Sequence, residues 1–384
     1  MYRRRDVLIG SGLAALAACA PKLVSRGATT PAPWPPYRDA MAIDCAGGLY
    51  LQYANDMPPQ EAAALVASEL AGVRASGLTA IVLTVAPQGQ FWLDDAAFVK
   101  NQRDMIAWRE LITRHADTLM LVEQAADLET ARRTHRLGVV FTFQGTEPLG
   151  EDIERIALFR DLGVRVVQLT HNRHNLVGDG STELGNAGLS NYGHDVVAAL
   201  NAAKIVVDVA HGSQRTTREG ILASKAPMLI SHTGCRALAD LPRNTGDAEL
   251  RLLADRGGMA GMIFWPYLRT DTQPMAIDVV RHVEHAINVC GEDHVGLGTD
   301  SGVAPVERTP EFEKSNREFI VDLVAQKILT PGRPPDLYTF IPDLNVANRF
   351  ELLGGLLAAR GHSATRIAKI LGGNAARVMR DVWG

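Results

Sequence analysis

Nine short apolar or β-branched runs punctuate this chain, each passing into a polar turn and then into helical periodicity. They fall at 41–45, 79–85, 119–122, 139–144, 165–170, 205–211, 228–232, 258–265 and 295–300. Strands buried on both faces read as continuous apolar runs of this kind. Amphipathic stretches such as 59–76, 153–162, 195–203 and 276–289 lie between them. Such alternation predicts an α/β fold built on a parallel sheet. Nine candidates for eight places predict a TIM-like (β/α)8 barrel with one run spurious or additional. An open doubly wound sheet is the alternative, but no G-x-G-x-x-G follows the first run. A length of 384 residues suits a single barrel domain enlarged by insertions.

Polar residues gather where such a barrel needs them. Gln144, His171, His211, His232 and Asp300 each stand at or just after the C-terminal end of a run. In a barrel those ends converge on one mouth, where catalysis takes place. A lone strand-end histidine is ordinarily a satisfied structural group; five polar ends in succession argue for a site. Residues 303–347 break the rhythm, with Pro305, Pro310, Pro331, Pro334, Pro335 and Pro342 around one helical pattern at 313–326. This long insertion after the last strand reads as a lid, a partner surface or a loose excursion. Two helical patterns, 346–359 and 363–382, close the chain.

The remaining composition narrows the function classes. A net charge of −4 offers no basic face for nucleic acid. Four cysteines without a C-x-x-C pair argue against a disulfide scaffold or a zinc ribbon. Residues 1–18 read as an export signal, with Arg3, Arg4 and Arg5 before an apolar stretch too short to span a bilayer. Arg4-Arg5-Asp6-Val7-Leu8 is similar to a twin-arginine signal. Leu16-Ala17-Ala18-Cys19 is similar to a bacterial lipobox, which would acylate Cys19 and anchor the protein on the periplasmic side of a membrane. The proline-rich residues 19–38 read as a tether, leaving 39–384 as the barrel domain. Cys45, Cys235 and Cys290 remain in the body, an odd number that leaves at least one thiol unpaired in a single chain.

Several ordered segments resemble the membrane (renal) dipeptidase family of metallopeptidases across most of 39–384. Residues 165–172 (RVVQLTHN) resemble the family's strand with a substrate-contacting histidine, here His171. Residues 188–213 (GLSNYGHDVVAALNAAKIVVDVAHGS) lead to a metal ligand, here His211. Residues 226–244 (APMLISHTGCRALADLPRN) carry the next ligand, His232, and the substrate-side pair Arg243 and Asn244. Residues 294–300 (HVGLGTD) carry the catalytic aspartate, Asp300, and the tail from Ile367 matches the closing helix. The resemblance implies a TIM-like barrel with two zinc ions. They are held by His and Asp after the first strand, a bridging Glu after a middle strand, and two later His. A metal-activated water attacks the amide while the aspartate handles protons.

This chain departs from that pattern at the first metal. The family's D-G-H-x-D becomes Asp44-Cys45-Ala46-Gly47-Gly48, so Ala46 replaces the histidine and Gly48 the aspartate. The bridging Glu falls on Gln144, whose neutral amide is a weak zinc ligand. His211, His232 and Asp300 remain, which predicts one zinc ion rather than two. Cys45 is a candidate substitute ligand as thiolate. The expected activity is that of an exported metal-dependent dipeptidase or amidohydrolase cleaving a dipeptide or small peptide-like amide. Arg243, His171 and Asn244 would position the substrate. The alternative is a non-hydrolytic member that kept the pocket for ligand binding or periplasmic maturation of siderophore-type peptides. A third reading is a metal-free hydrolase with Asp300 or Glu183 as general base. The family also implies a homodimer. His194, His282, His285 and His362 lie on helical stretches or their ends and are expected at the surface.

Overall fold

The computed structural model describes residues 32–85 and 95–384. Its strands in chain order are β1 (Ile43–Asp44), β2 (Gly47–Gly48), β3 (Ala80–Thr84), β4 (Leu119–Leu121), β5 (Leu137–Gln144) and β6 (Val164–Gln168). They continue with β7 (Val206–Asp208), β8 (Leu229–Thr233), β9 (Met259–Met262), β10 (Val295–Leu297) and β11 (Ser301–Gly302). Eight of these lie side by side in the order β1-β3-β5-β6-β7-β8-β9-β10, with helices between them. All neighbouring pairs are parallel. The surplus ninth run is β4, which pairs with Leu137–Val139 at the start of β5, ahead of the point where β6 joins at Phe141.

The seam between β10 and β1 is closed by a side chain as much as by backbone. Cys45 N–H donates to Leu297 O at 3.0 Å. The Asp44 carboxylate accepts Thr299 N–H at 2.8 Å and the Thr299 hydroxyl at 2.5 Å. Just beyond, β2 pairs in parallel with β11.

Strand alternation sorts the core into two faces. Ile43, Val82, Val140, Val166, Val206, Leu229 and Met259 cluster with Ala375, Val378, Met379 and Val382 of the closing helix Asn374–Trp383, which plugs the barrel's N-terminal end. Ile81, Leu83, Val139, Phe141 and Phe143 belong to the larger cluster beneath the surrounding helices. Each fully buried Val, Leu or Phe stabilises by about 1.5–3 kcal/mol. The strand residues that face the closing helix are therefore apolar.

Two expectations shift. The tether was expected to reach residue 38, but the chain packs from Trp34 onward. Trp34 and Tyr37 are buried; Trp34 N–H donates to Glu351 O at 3.3 Å and the Tyr37 hydroxyl to Ser76 O at 2.9 Å. Two aromatic rings gain enough by leaving water to pull the segment onto the barrel. The signal, the lipobox and Cys19 lie outside the described residues. The insertion, in turn, is no loose excursion. Its helix Pro310–Ala325 is capped by Thr309, and Leu329, Leu337, Phe340, Ile341 and Leu344 are buried. Arg333 donates to Arg269 O at 2.5 Å and Pro266 O at 3.1 Å, so the insertion forms a fixed wall behind the loop after β9. Among the described residues, no helix is long and apolar enough to cross a membrane.

Candidate active site

The inward face turns polar at the strand ends. Two residues beyond Val166, Val206 and Leu229 stand Gln168, Asp208 and Ser231, and four beyond Val140 stands Gln144. The register sets Gln144 beside Gln168 and Gln168 beside Asp208. Above this layer stand His171, His211 and Asp300, each just past the end of its strand, and His232, next to last in β8. His211 and Asp300 have left-handed backbones, φ 61° and 55°, an uncommon conformation for non-glycine residues that clusters at functional sites. Glycine permits the tight packing alongside: a Cβ on Gly298 would sit 2.1 Å from Ser231 O and 3.1 Å from His232 Cβ.

His211 and His232 meet with their Nε2 atoms 2.9 Å apart. His211 Nδ1 lies 2.8 Å from Asn172 Oδ1, and His232 Nδ1 lies 2.8 Å from Ser231 Oγ. The Ser231 hydroxyl donates to Asp208 Oδ2 at 2.5 Å. An amide oxygen has only lone pairs, and a hydroxyl that has given its proton away has only lone pairs left. Both Nδ1 atoms are engaged from behind, and the two Nε2 atoms face one another at hydrogen-bond distance. Burial, strengthened by the Arg243 guanidinium and by His171, holds both rings well below the usual histidine range, so they are neutral. Neutral imidazoles engaged from behind are the form in which histidine binds metals. A zinc–nitrogen bond of roughly 2.0–2.1 Å with tetrahedral angles separates two ligand nitrogens by about 3.3 Å. The pair stands closer than that spacing, at 2.9 Å.

His171 stacks on His211 with ring centroids 4.2 Å apart. Arg243 is buried, donates through Nη2 to His232 O at 3.0 Å and lies 5.7 Å from the Tyr267 ring. Its Nε is buried without a hydrogen-bond partner, as are Thr170 Oγ1, Gln168 Oε1 and Ser181 Oγ near the same strand ends. A buried guanidinium with an idle N–H is configured for an anionic group. Asp300 is near enough to stabilise the charge on Arg243. Its backbone is pinned on both sides, its N–H donating to Ala46 O at 2.8 Å and its carbonyl accepting Trp265 Nε1–H at 3.0 Å. Trp265 stacks on Tyr267 at 5.6 Å, linking the acid's support to the guanidinium's.

Other anticipated residues take different roles. Asn244 spends its carboxamide inside the protein, donating to Ala239 O and Tyr267 O at 2.8 Å and accepting Gly234 N–H at 3.1 Å, and so braces the wall. Cys45 belongs to the inward apolar cluster, where burial pushes its thiol far from thiolate formation. Glu183 accepts His174 N–H at 3.1 Å and staples its own loop. His282 is buried rather than exposed: Nδ1 accepts Cys235 N–H at 2.9 Å and Nε2–H donates to Leu268 O at 3.0 Å. At the first-metal position, Ala46 and Gly48 supply no donor side chain, and Gln144 is buried at the end of β5. Among the described residues, no three His, Cys, Asp or Glu side chains converge to hold an ion, so Asp300 does not complete a triad with the two histidines. Asp208 and Asn172 were not singled out as site residues. Asp208 did carry a signal: it is the one charged residue in the run 205–211, two strand positions from the apolar floor.

Fold and site together define a class, the amidohydrolase-type barrel with paired imidazoles, a guanidinium and an acid at the C-terminal mouth. The family model for membrane dipeptidase (peptidase family M19) matches residues 38–329, and the chain belongs to that family. It is 27% identical over 317 residues to dipeptidase tcpJ of Claviceps purpurea, covering 80% of this chain and 67% of that one. It is 31% identical over 193 residues to dipeptidase verJ of Clonostachys rogersoniana, a match spanning 50% of each chain. Among solved structures, an amidohydrolase from Pseudomonas aeruginosa is similar with a TM-score of 0.75 and 27% identity, over 91% of this chain and 98% of that one. A metallopeptidase from Rhodobacter sphaeroides, liganded with a phosphinate mimic of the dipeptide L-Ala-D-Ala, shares the fold with a TM-score of 0.71 at 17% identity, over 90% and 99% of the two chains.

Proposed function

We propose that this protein is an exported, single-zinc dipeptidase or amidohydrolase acting on a dipeptide or small peptide-like amide. The observation that carries the reading is the Nε2 pair of His211 and His232, 2.9 Å apart, with both outer nitrogens engaged. A zinc ion held there supplies Lewis acidity and an acidified water. Arg243 receives the substrate's carboxylate, a group its idle Nε suits. His171, stacked on His211, would receive the scissile carbonyl oxygen. Asp300, held by Ala46 and Trp265, moves the proton between water and leaving amine. The N-terminal pattern supports export and acylation at Cys19, and a homodimer is the expected assembly.

Elemental analysis of the purified protein together with a dipeptide panel tests the reading. One zinc per chain and turnover abolished by His211→Ala are expected; no bound metal and no turnover above that variant would refute it. A second reading has its own support. Ala46, Gly48 and Gln144 remove three ligands at once, and no three-group cluster replaces them among the described residues. A pocket retained for binding or maturing a siderophore-type peptide, without hydrolysis, would bind such a peptide and leave it intact.

A further inference from the structure

We propose that Thr339, set in place by Gln273, is a specificity-determining residue that confines the substrate's carboxyl-terminal residue to a small side chain. The inference rests on the dipeptidase reading above and deepens it by naming which substrates fit. Gln273, in the loop after β9, grips the insertion by its backbone. Its Oε1 accepts Tyr338 N–H at 2.7 Å, and its Nε2–H groups donate to Phe340 O at 3.0 Å and Tyr338 O at 3.4 Å. Carbonyls along an extended segment alternate in direction, so the one between these two points the other way. Thr339 O accordingly lies 3.5 Å from the Ser301 hydroxyl, and Ser301 directly follows Asp300 and pairs with Gly47. The side chains sort likewise. The Tyr338 and Phe340 rings lie 5.0 Å apart on one side, packed with Phe312 of the insertion's helix. Arg308 and Glu313 hold the Tyr338 hydroxyl. Thr339 is left facing away from this cluster, half-buried, against the residue that follows the acid.

The binding mode proposed above puts Arg243 on the substrate's carboxylate and Asp300 on its leaving amine. The carboxyl-terminal residue then spans the interval between them. The Trp265–Tyr267 stack lines that interval, with Trp265 Nε1–H on Asp300 O at 3.0 Å. Thr339 bounds it at Ser301. A wall sorts substrates by size only if it cannot retreat. This one is held by Gln273, by Ser301 and by the aromatic cluster, and one methylene too many against a fixed pocket wall is worth roughly 10- to 200-fold. Gln273 acts only through Thr339 and is a positioning residue.

The test uses the full chain and glycyl dipeptides that differ only in the carboxyl-terminal residue: Gly, Ala, Leu and Phe. The wild type should prefer Gly and Ala. Gln273→Ala frees the wall and should raise the Phe-to-Ala ratio of kcat/KM roughly 10-fold, chiefly through KM. Thr339→Gly should move the ratio the same way, and Thr339→Leu should lower it. A merely structural role for Gln273 would weaken all four substrates alike and leave the ratio where it was. A wild type indifferent to size, or an unchanged ratio in the folded Gln273→Ala and Thr339→Gly variants, overturns the proposal while leaving the dipeptidase reading intact. A wild type that hydrolyses none of the four refutes that reading instead. Calorimetric binding of the same four dipeptides then decides the wall: the same shift in affinity ratio supports it, and an unshifted ratio or no binding at all overturns it.

Discussion

Rebuilding the family's first metal ligands in this scaffold tests whether those three positions alone separate one ion from two. The variant is Ala46→His, Gly48→Asp and Gln144→Glu. The backbone tolerates it: a Cβ on Gly48 meets Gly302 Cα and Ser301 O at 3.5 Å, ordinary contact distances. Gln144→Glu is nearly isosteric at the end of a strand that is buried along its whole length. Without metal, the two new carboxylates are charges in a largely buried mouth. Each such uncompensated group costs at least about 1–3 kcal/mol, so in chelator the variant should be about 2–6 kcal/mol less stable than the parent. With zinc at a thousand times its dissociation constant, mass action returns about 4 kcal/mol. The stability gap between chelator and zinc therefore widens by about that amount. Denaturant titrations in the two conditions, metal content and dipeptide turnover should move together, with two zinc ions per chain and faster hydrolysis. A folded variant that takes up no second ion, or shows the parent's chelator-to-zinc gap, would refute the reasoning.

Three other outcomes follow from particular contacts. Burial lowers the His282 pKa to about 4, below its unfolded value, so the unfolded chain binds the extra proton first as pH falls. Stability from this group is complete above about pH 6.5 and lost down to pH 4, roughly 3 kcal/mol in all; in His282→Gln, urea unfolding at several pH values should show a total loss between pH 6.5 and 4 smaller by that amount. Arg333→Met strips donors from Arg269 O and Pro266 O and should cost about 1–3 kcal/mol. By loosening the wall at Tyr267 it should raise KM more than it lowers kcat, and an unchanged KM counts against the insertion's role in the site. Cys45 should resist alkylation in the folded protein and react only on unfolding, as peptide mapping would reveal; rapid labelling of Cys45 in the native state contradicts its place in the inner core.

The barrel was legible because strands buried on both faces cannot hide their apolar runs, and even the surplus run, β4, is a real strand. His211 and His232 were legible because they end such runs. Other features depend on partners far away in the chain. The prolines of 303–347 read as loop, yet Arg333 reaches carbonyls more than sixty residues upstream. Asn244 read as a substrate contact, although its amide reaches the Tyr267 carbonyl, which its spacing from Arg243 could not foretell. His282 is different, since its helix buries Val279, Val283 and Ala286 and the histidine falls on that same stripe. Its burial was available from periodicity; its two backbone partners were not.

The altered first site is easier to understand as retuning than as decay once its charges are added. Relative to the family's pattern, Gly48 and Gln144 each remove one negative charge from the mouth, while Ala46 removes a neutral ligand. Had a dication still been held there, two positive charges would have lost their counter-charges in a buried space. Losing one dication along with two carboxylates leaves the local sum unchanged. The other side of the mouth keeps its polar groups: two neutral imidazoles, with Asn172 behind one and Ser231 and Asp208 behind the other, and Arg243 beside Asp300. A drifting pocket would have no reason to retain Asn172, Asp208, Ser231, Arg243 and the two histidines as one buried, hydrogen-bonded set. Their retention favours a mouth still used for polar chemistry.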